Sequence, residues 1–329
     1  MDVQRLRVLR ELADRGSVTA VAAALSFTPS AISQQLKALA EEVGVPLTEP
    51  AGRGLRLTDA GHALVAEAEG VLAALARAEA AVERLRTEPR GVVRVALFPS
   101  GARMLLPGLL RRVNAMPGVD LLCRDVDMTP ADVPALAADF DVVISHRDET
   151  APAPPTTRWV VVPLLREPLD VALPPRHPLA RRRRLRLEEL ADEDWISVGV
   201  GWPVDDVLRS LAMATGSTPR VVQRINDFAV TEELVAAGHG IALLPRYSTD
   251  DRGGRRLVVR PLAGVRAGRL VEAVVRTSTA ERPAVVTVLD ALRAEAAGIT
   301  ARRSPGRPRE RARDQRGQGV LHGSGQVDP

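Results

Sequence analysis

A chain of 329 residues with a net charge of only +4 is long for one domain and too weakly basic to coat polyanions indiscriminately, so two or three domains are expected. Aromatic residues make up 2% and the apolar 45% is nearly all Ala, Val and Leu, which suits packed helices and buried strands and argues against the stacking platforms of single-strand binders. Cys123 stands alone, so neither an intramolecular disulfide nor a cysteine-based metal cluster can form, and no metal, cofactor or catalytic residue is expected.

The N-terminal stretch MDVQRLRVLRELADRG reads as an amphipathic helix, not a signal peptide. No apolar run approaches the roughly 18 residues of a membrane span, so a cytoplasmic protein is expected. Val3, Leu6, Leu9 and Leu12 put one stripe of this first helix in a core, with Asp2 as N-cap and Gly16 as its stop. Ser17 caps a second helix, Val18 to Leu25. After a break at Ser26-Phe27-Thr28, Thr28 caps a third, with Pro29 at the first position, where its missing N–H costs nothing. That helix buries Ile32, Leu36 and Leu39 and turns Ser30, Ser33, Gln34 and Lys37 outward. Two short helices joined by a tight turn, the second with a small-polar outer face, form a helix-turn-helix able to enter the major groove. Gln pairs with adenine bidentately and Ser accepts several bases. Thr28 and Ser30 at the helix start are placed to meet phosphate. Two extended pieces, around Leu47 and over residues 55–57, flank a Pro-Ala-Gly-Arg-Gly turn and predict a wing, with Arg53 at its tip for a phosphate or minor-groove contact.

Thr58-Asp59 caps a long helix reaching about Arg86, roughly 40 Å at ~1.5 Å per residue. Its apolar side reads as a dimerisation stalk, with a core helix as the competing reading. From Gly91 the texture changes. VVRVALF, a helix over 103–114, a strand over 119–124, a helix over 130–138 and a strand over 141–145 give βαβαβ, one half of a doubly wound sheet. A Pro-rich connection over 151–157 leads to an extended run over 159–163. A second unit holds strands over 169–173, 195–198, 220–224 and 240–244, with helices over 187–191, 203–214 and 229–237. The chain returns through 257–261 and 267–276 to a helix over 283–297. Residues 298–329 have almost nothing to bury and are expected to be disordered. The four arginines Arg181 to Arg184 read as a solvated loop of the second unit rather than a nucleic-acid patch. Pro305-Gly306-Arg307-Pro308-Arg309 is similar to the core of minor-groove hooks.

Open α/β sheets bind ligands beyond the carboxyl ends of their strands. That rule singles out Phe98, Ser100 and Gly101 after the first strand, Ser145 and His146 after the third, Gly201 and Trp202, and Asp227 and Phe228. Ser100 and Gly101 open a helix whose N–H groups suit an anion such as a carboxylate, and His146 and Arg147 could complete the site. Trp202 and Phe228 would wall an apolar part. His146 reads more readily as a solvated loop residue than as a ligand contact.

LSFTPSAISQQLKALAEEVGVPL at 25–47, GRGLRLTDAGHAL at 52–64, HPLA at 177–180 and VAAGHGIALLP at 235–245 together resemble the LysR-type transcriptional regulators over residues 1 to about 297. The resemblance implies a multidomain chain. An N-terminal all-α winged helix-turn-helix with a long linker helix is followed by a C-terminal α/β two-lobed, periplasmic-binding-protein-like (type 2) domain. The corresponding division is 1–58 for the winged unit, 59–88 for the linker, 89–161 with 266–297 for lobe I, 162–265 for lobe II, and 298–329 for the tail. It implies a homodimer or homotetramer on a double-stranded DNA operator, a small-molecule effector between the lobes, contact with Ser100 by that effector, and RNA polymerase as a further partner. Expected DNA-binding residues are Ser17, Thr28, Pro29, Ser30, Ser33, Gln34, Lys37 and Arg53. The chain departs from the family pattern at Pro29 (usually Gln), at Ala40 (usually Glu) and at Thr48-Glu49-Pro50, where Phe-x-Arg is usual. The Phe anchors the wing and the Arg contacts the DNA backbone, so the wing's packing is open here and Arg53 is left to carry part of the load.

A regulator whose dimer geometry shifts when effector closes the cleft is the reading that uses every part of the chain. A regulator that has lost its effector, an enzyme on the same two-lobed scaffold and a plain solute-binding protein are the alternatives. No G-x-S-x-G, P-loop or metal-spaced histidine cluster supports the enzyme.

Overall fold

The computed structural model describes residues 1–303 except 53, 84, 86–88, 150, 153–157 and 217. Arg53 and the tail from residue 304 onward therefore lie outside the described residues.

Helix α1 (Val3–Arg15) starts at Asp2, whose carboxylate accepts from the Gln4 amide, and stops at Gly16, which adopts φ 69°. Ser17 caps α2 (Val18–Leu25) by accepting from the Ala20 amide, and Thr28 caps α3 (Pro29–Val43) by accepting from Ala31. Leu6, Leu9, Leu12, Val21, Ile32, Leu36 and Leu39 meet in one core that Leu47 and Val65 close. Strands β1 (Thr48–Ala51) and β2 (Gly54–Leu57) pair antiparallel as the wing. Thr58 then opens α4 (Asp59–Glu83): its hydroxyl donates to the Pro46 carbonyl and accepts from the Gly61 amide. Gly61 is required there, because a Cβ would sit 2.2 Å from the Leu47 carbonyl oxygen.

Strand β3 (Gly91–Leu97) pairs parallel with β4 (Val119–Asp125) and β5 (Val142–Asp148), as expected for half of a doubly wound sheet. Helix α5 (Pro99–Val113) begins four residues earlier than the sequence suggested, because Pro99 fits the first turn. The predicted helix over 130–138 shrinks to a capped 3₁₀ turn and α6 (Val133–Leu136), with Pro134 among its few residues. Residues 159–163 and 169–173 are not separate strands. They belong to one strand, β6 (Trp159–Leu173), which tolerates Pro163 opposite a register shift and Pro168 near the end of a ladder.

Lobe II holds β7 (Asp194–Ser197), α7 (Pro203–Thr215), β8 (Arg220–Arg224), α8 (Phe228–Ala236), β9 (Ala242–Pro245) and β10 (Val258–Arg260). The predicted helix over 187–191 is a 3₁₀ turn, Leu187–Leu190. Strand β11 (Gly268–Arg276) returns antiparallel between β5 and β6, and α9 (Pro283–Arg303) ends the described chain. The main sheet runs β10-β6-β11-β5-β3-β4, with β9 also on β6. The first part of β6 thus belongs to lobe I and the last to lobe II, and each lobe has its own core. Helix α9 passes the expected end at 297 to Arg303, so 298–303 are helical and not tail. Glu295 holds this last turn to the body through Arg112 and Arg302.

The winged unit docks on lobe I through charge. Both Asp14 oxygens are taken, by Arg158 Nη2 and Arg276 Nη1, each at 2.5 Å. Arg15 reaches the Ala138 carbonyl at 2.9 Å. Glu69 of α4 is buried beside Arg10, Arg158 and Arg276 at 3.8–4.0 Å. Burial pushes its carboxyl up, and the three guanidiniums offset that only in part.

Candidate functional site

On α3, Ser30, Ser33, Gln34 and Lys37 are exposed on the face opposite Ile32, Leu36 and Leu39. Ser33 donates to the Pro29 carbonyl at 3.0 Å, so its oxygen keeps lone pairs for an incoming donor. The Ser17 and Thr28 oxygens are engaged as caps, and Thr28 also shares a hydrogen bond with Ser30. Pro29 stands exposed beside them. Between α3 and the wing lies an open groove of about 500 Å³, bordered by Leu36, Ala40, Val45, Thr48 and Leu55. It lies where the family's anchoring Phe is replaced by Thr48. Thr48→Phe is expected to fill it and raise stability by about 1–2 kcal/mol, read by urea denaturation. An unchanged midpoint would show that the groove does not accept the ring.

A second opening, about 400 Å³, lies between the lobes. Arg269 of β11 forms its floor, fully buried. Its Nε and Nη2 bond Glu167 Oε2 at 3.0 and 2.7 Å, and Nη2 also reaches Ser100 Oγ at 2.9 Å. The guanidinium stacks on the Phe98 ring at 4.8 Å and lies 5.9 Å from Phe228. Because Ser100 accepts from Arg269, its own hydroxyl proton is available to the cleft. Arg269 Nη1, Ser248 Oγ and His146 Nδ1 are buried around this cleft without a hydrogen-bond partner. The lobes touch across it: Asn226 Nδ2 reaches Asp127 at 3.4 Å, and Arg103 lies 3.7 Å from Glu232.

Residues 3–62 match the family model described as the bacterial regulatory helix-turn-helix protein, lysR family, and residues 86–297 match that of the LysR substrate binding domain. The chain belongs to the LysR family of transcriptional regulators. The small neutral protease regulatory protein of Streptomyces coelicolor is 31% identical over 79% of this chain and 82% of its own length. AlsR of Bacillus subtilis is 26% identical over 74% and 80%. A full-length OxyR variant from Pseudomonas aeruginosa, 22% identical, superposes with a TM-score of 0.66 over 89% of this chain and 95% of that one, which shows the shared fold. This LysR-type protein is thus a DNA-binding transcriptional regulator with an effector-binding domain.

Of the cleft residues expected from sequence, the structure gathers Phe98, Ser100, His146, Trp202, Asp227 and Phe228 around the opening. It does not place Gly101, Ser145 or Gly201 there. Gly101 is buried against the Phe98 ring, where a Cβ would lie 2.6 Å from Cζ, so it makes room for Phe98. Ser145 sits inside β5, which continues to Asp148 because β11 pairs with it, and it borders a different cavity. Gly201, at φ 83°, forms the turn before Trp202. Arg269, Glu167 and Ser248 were missed. Arg269 near the start of the largely apolar run Gly268–Arg276 was the available signal, but nothing local says which side of the sheet it faces.

The LysR-type regulator's His146 is no solvated loop residue. It packs on Phe98 at 4.3 Å between ring centroids, and burial, reinforced by the Arg269 charge, holds its imidazole well below the ordinary 6.5. The folded chain therefore resists a proton that the unfolded chain accepts below 6.5. The contribution of this neutral ring is intact above that pH and declines as pH falls below it, by up to about 1.4 kcal/mol per pH unit. His146→Leu is expected to flatten that decline, measured by urea denaturation at about pH 7 and about pH 5.5. An equal slope in both proteins would sink the assignment.

Proposed function

We propose that the effector of this regulator is a small carboxylate seated between the lobes. Ser100, Ser248 and Arg269 Nη1 hold its oxygens, assisted by the first amides of α5, while Trp202 and Phe228 wall its body. The observation that carries this reading is the convergence of two buried, unpartnered donors, Arg269 Nη1 and Ser248 Oγ, on one cleft, since such atoms rarely stay unpaired. The Glu167 carboxylate balances most of the Arg269 charge, yet Nη1 still needs an acceptor.

In this reading Ser30, Ser33 and Gln34 of α3 read the operator, and Lys37 and Arg53 meet phosphate. Val71, Val82 and Leu85, exposed along and just beyond α4, support a homodimer or homotetramer built on that helix. Effector that closes the cleft changes the spacing of the two α3 helices. The protein acts as a regulator rather than an enzyme, because its relatives are regulators. It works in the cytoplasm, where its DNA lies, and no helix among the described residues is long and apolar enough to cross a membrane.

The test is thermal unfolding of the full chain with benzoate and a panel of related carboxylates, each beside its neutral alcohol. Carboxylates are expected to raise Tm and to alter footprinting of the DNA flanking the gene, and Ser100→Ala is expected to weaken both effects. A response to the alcohols and not to the acids would overturn the anionic assignment.

A further inference from the structure

We propose that a second cavity, of about 430 Å³ under α6, binds a small neutral aromatic or alicyclic alcohol and that this ligand acts directly on the docking of the winged unit. The cavity belongs to a different face of the sheet. Ser145 pairs with Glu272 and His146 with Val271, so Ser145, Glu272 and Val274 point away from the side that carries Arg269 and Val271. His146 borders both spaces.

The chemistry of the walls selects a neutral ligand. Val133 and Pro134 of α6, the Trp159 ring and Val274 form an apolar slot. The charges at its end are already matched: Arg147 holds both Glu272 oxygens, at 3.1 and 3.0 Å, and the Ala151 carbonyl. An ion entering here would lose its hydration and find no free countercharge. A hydroxyl group keeps partners, because carboxylate oxygens and the Ser145 hydroxyl accept further hydrogen bonds.

The same walls hold the DNA-binding unit. The Arg158 and Arg276 guanidiniums lie 5.5 and 5.6 Å from the Trp159 ring centre, and these two residues grip Asp14 of α1. Arg276 Nε also donates to the Ala137 carbonyl at the end of α6, at 2.6 Å. A molecule that wedges between α6 and Trp159 therefore bears on both anchors of α1. Through this route the ligand reaches the DNA-binding unit without closing the interlobe cleft.

The probe is 2-naphthol, which is neutral at pH 7, titrated calorimetrically into the full chain. One saturable site is expected. Pro134→Phe, which projects a ring into the slot, is expected to weaken binding by about tenfold or more, while Ser100→Ala in the cleft changes it by less than about twofold. Hydrogen exchange over 10–15 of α1 is expected to change on binding. A crystal with 6-bromo-2-naphthol needs no variant: bromine density beside Trp159 supports the site, and density in the cleft or none at all overturns it. Wild-type affinity in a folded Pro134→Phe protein, loss of affinity in Ser100→Ala, or unaltered exchange in α1 with the site saturated would equally overturn the proposal.

Discussion

Arg269→Met is expected to destabilise the regulator by roughly 3–5 kcal/mol, the range for breaking a buried ion pair from one side. Arg269 and Glu167 are both fully buried, and the methionine would strand a carboxylate whose other oxygen accepts from the Tyr247 amide. Methionine keeps the apolar stem, so the loss reports charge and not volume. The double variant Glu167→Gln/Arg269→Met removes both charges, leaves an acceptor for Tyr247, and is expected to recover most of the stability. Urea denaturation of the parent, Glu167→Gln, Arg269→Met and the double variant gives the coupling directly. A single variant as stable as the parent would show that water reaches the pair. The double variant also separates the pair's two roles. Under the carboxylate reading it folds yet no longer responds to benzoate-type ligands, because the donor at the cleft floor is gone.

The helix-turn-helix was legible because its signals are local. Asp2, Ser17 and Thr28 cap within three residues of themselves, and Gly16 and Gly44 stop helices by their own backbone geometry. The strands of lobe I were legible as apolar runs, but their ends were not. The extension of β5 to Asp148 comes from pairing with β11, more than a hundred residues onward. That error in one strand end placed Ser145 at the strand's last position and His146 in a loop in the sequence reading, whereas both lie within β5. The unity of β6 was hidden for the same reason: Pro163 and Pro168 look like breaks until partners that tolerate them are in place. Arg269 takes its meaning from Glu167 and Ser100, 102 and 169 positions away, and no window of sequence contains that arrangement. Trp202 and Phe228 were found because they follow strands of the second unit at the end of the sheet where ligands bind, and Ser100 through resemblance as well as its place at a helix start.

Asp14→Ala is expected to release the winged unit from lobe I. The Asp14 side chain is completely buried and is the hydrogen-bonded acceptor shared by Arg158 and Arg276. Without it, two guanidiniums remain at the interface with Glu69 no nearer than 3.8 Å, beyond hydrogen-bond reach. The cost of leaving such charges unpaired is again roughly 3–5 kcal/mol, more than an interface within one chain can absorb while staying closed. The expected readings are a larger radius of gyration in X-ray scattering and two calorimetric transitions in place of one. Asp139→Ala is the control. Asp139 also meets an arginine, Arg15 at 2.8 Å, but its side chain is 62% exposed, so its removal is expected to cost no more than about 1 kcal/mol and to leave the unit docked. Equal behaviour of the two variants would mean that burial does not set the strength of this contact. A clear difference would identify Asp14 as the residue through which lobe I holds the DNA-binding unit, because α1 meets α6 and the end of β11 at that point.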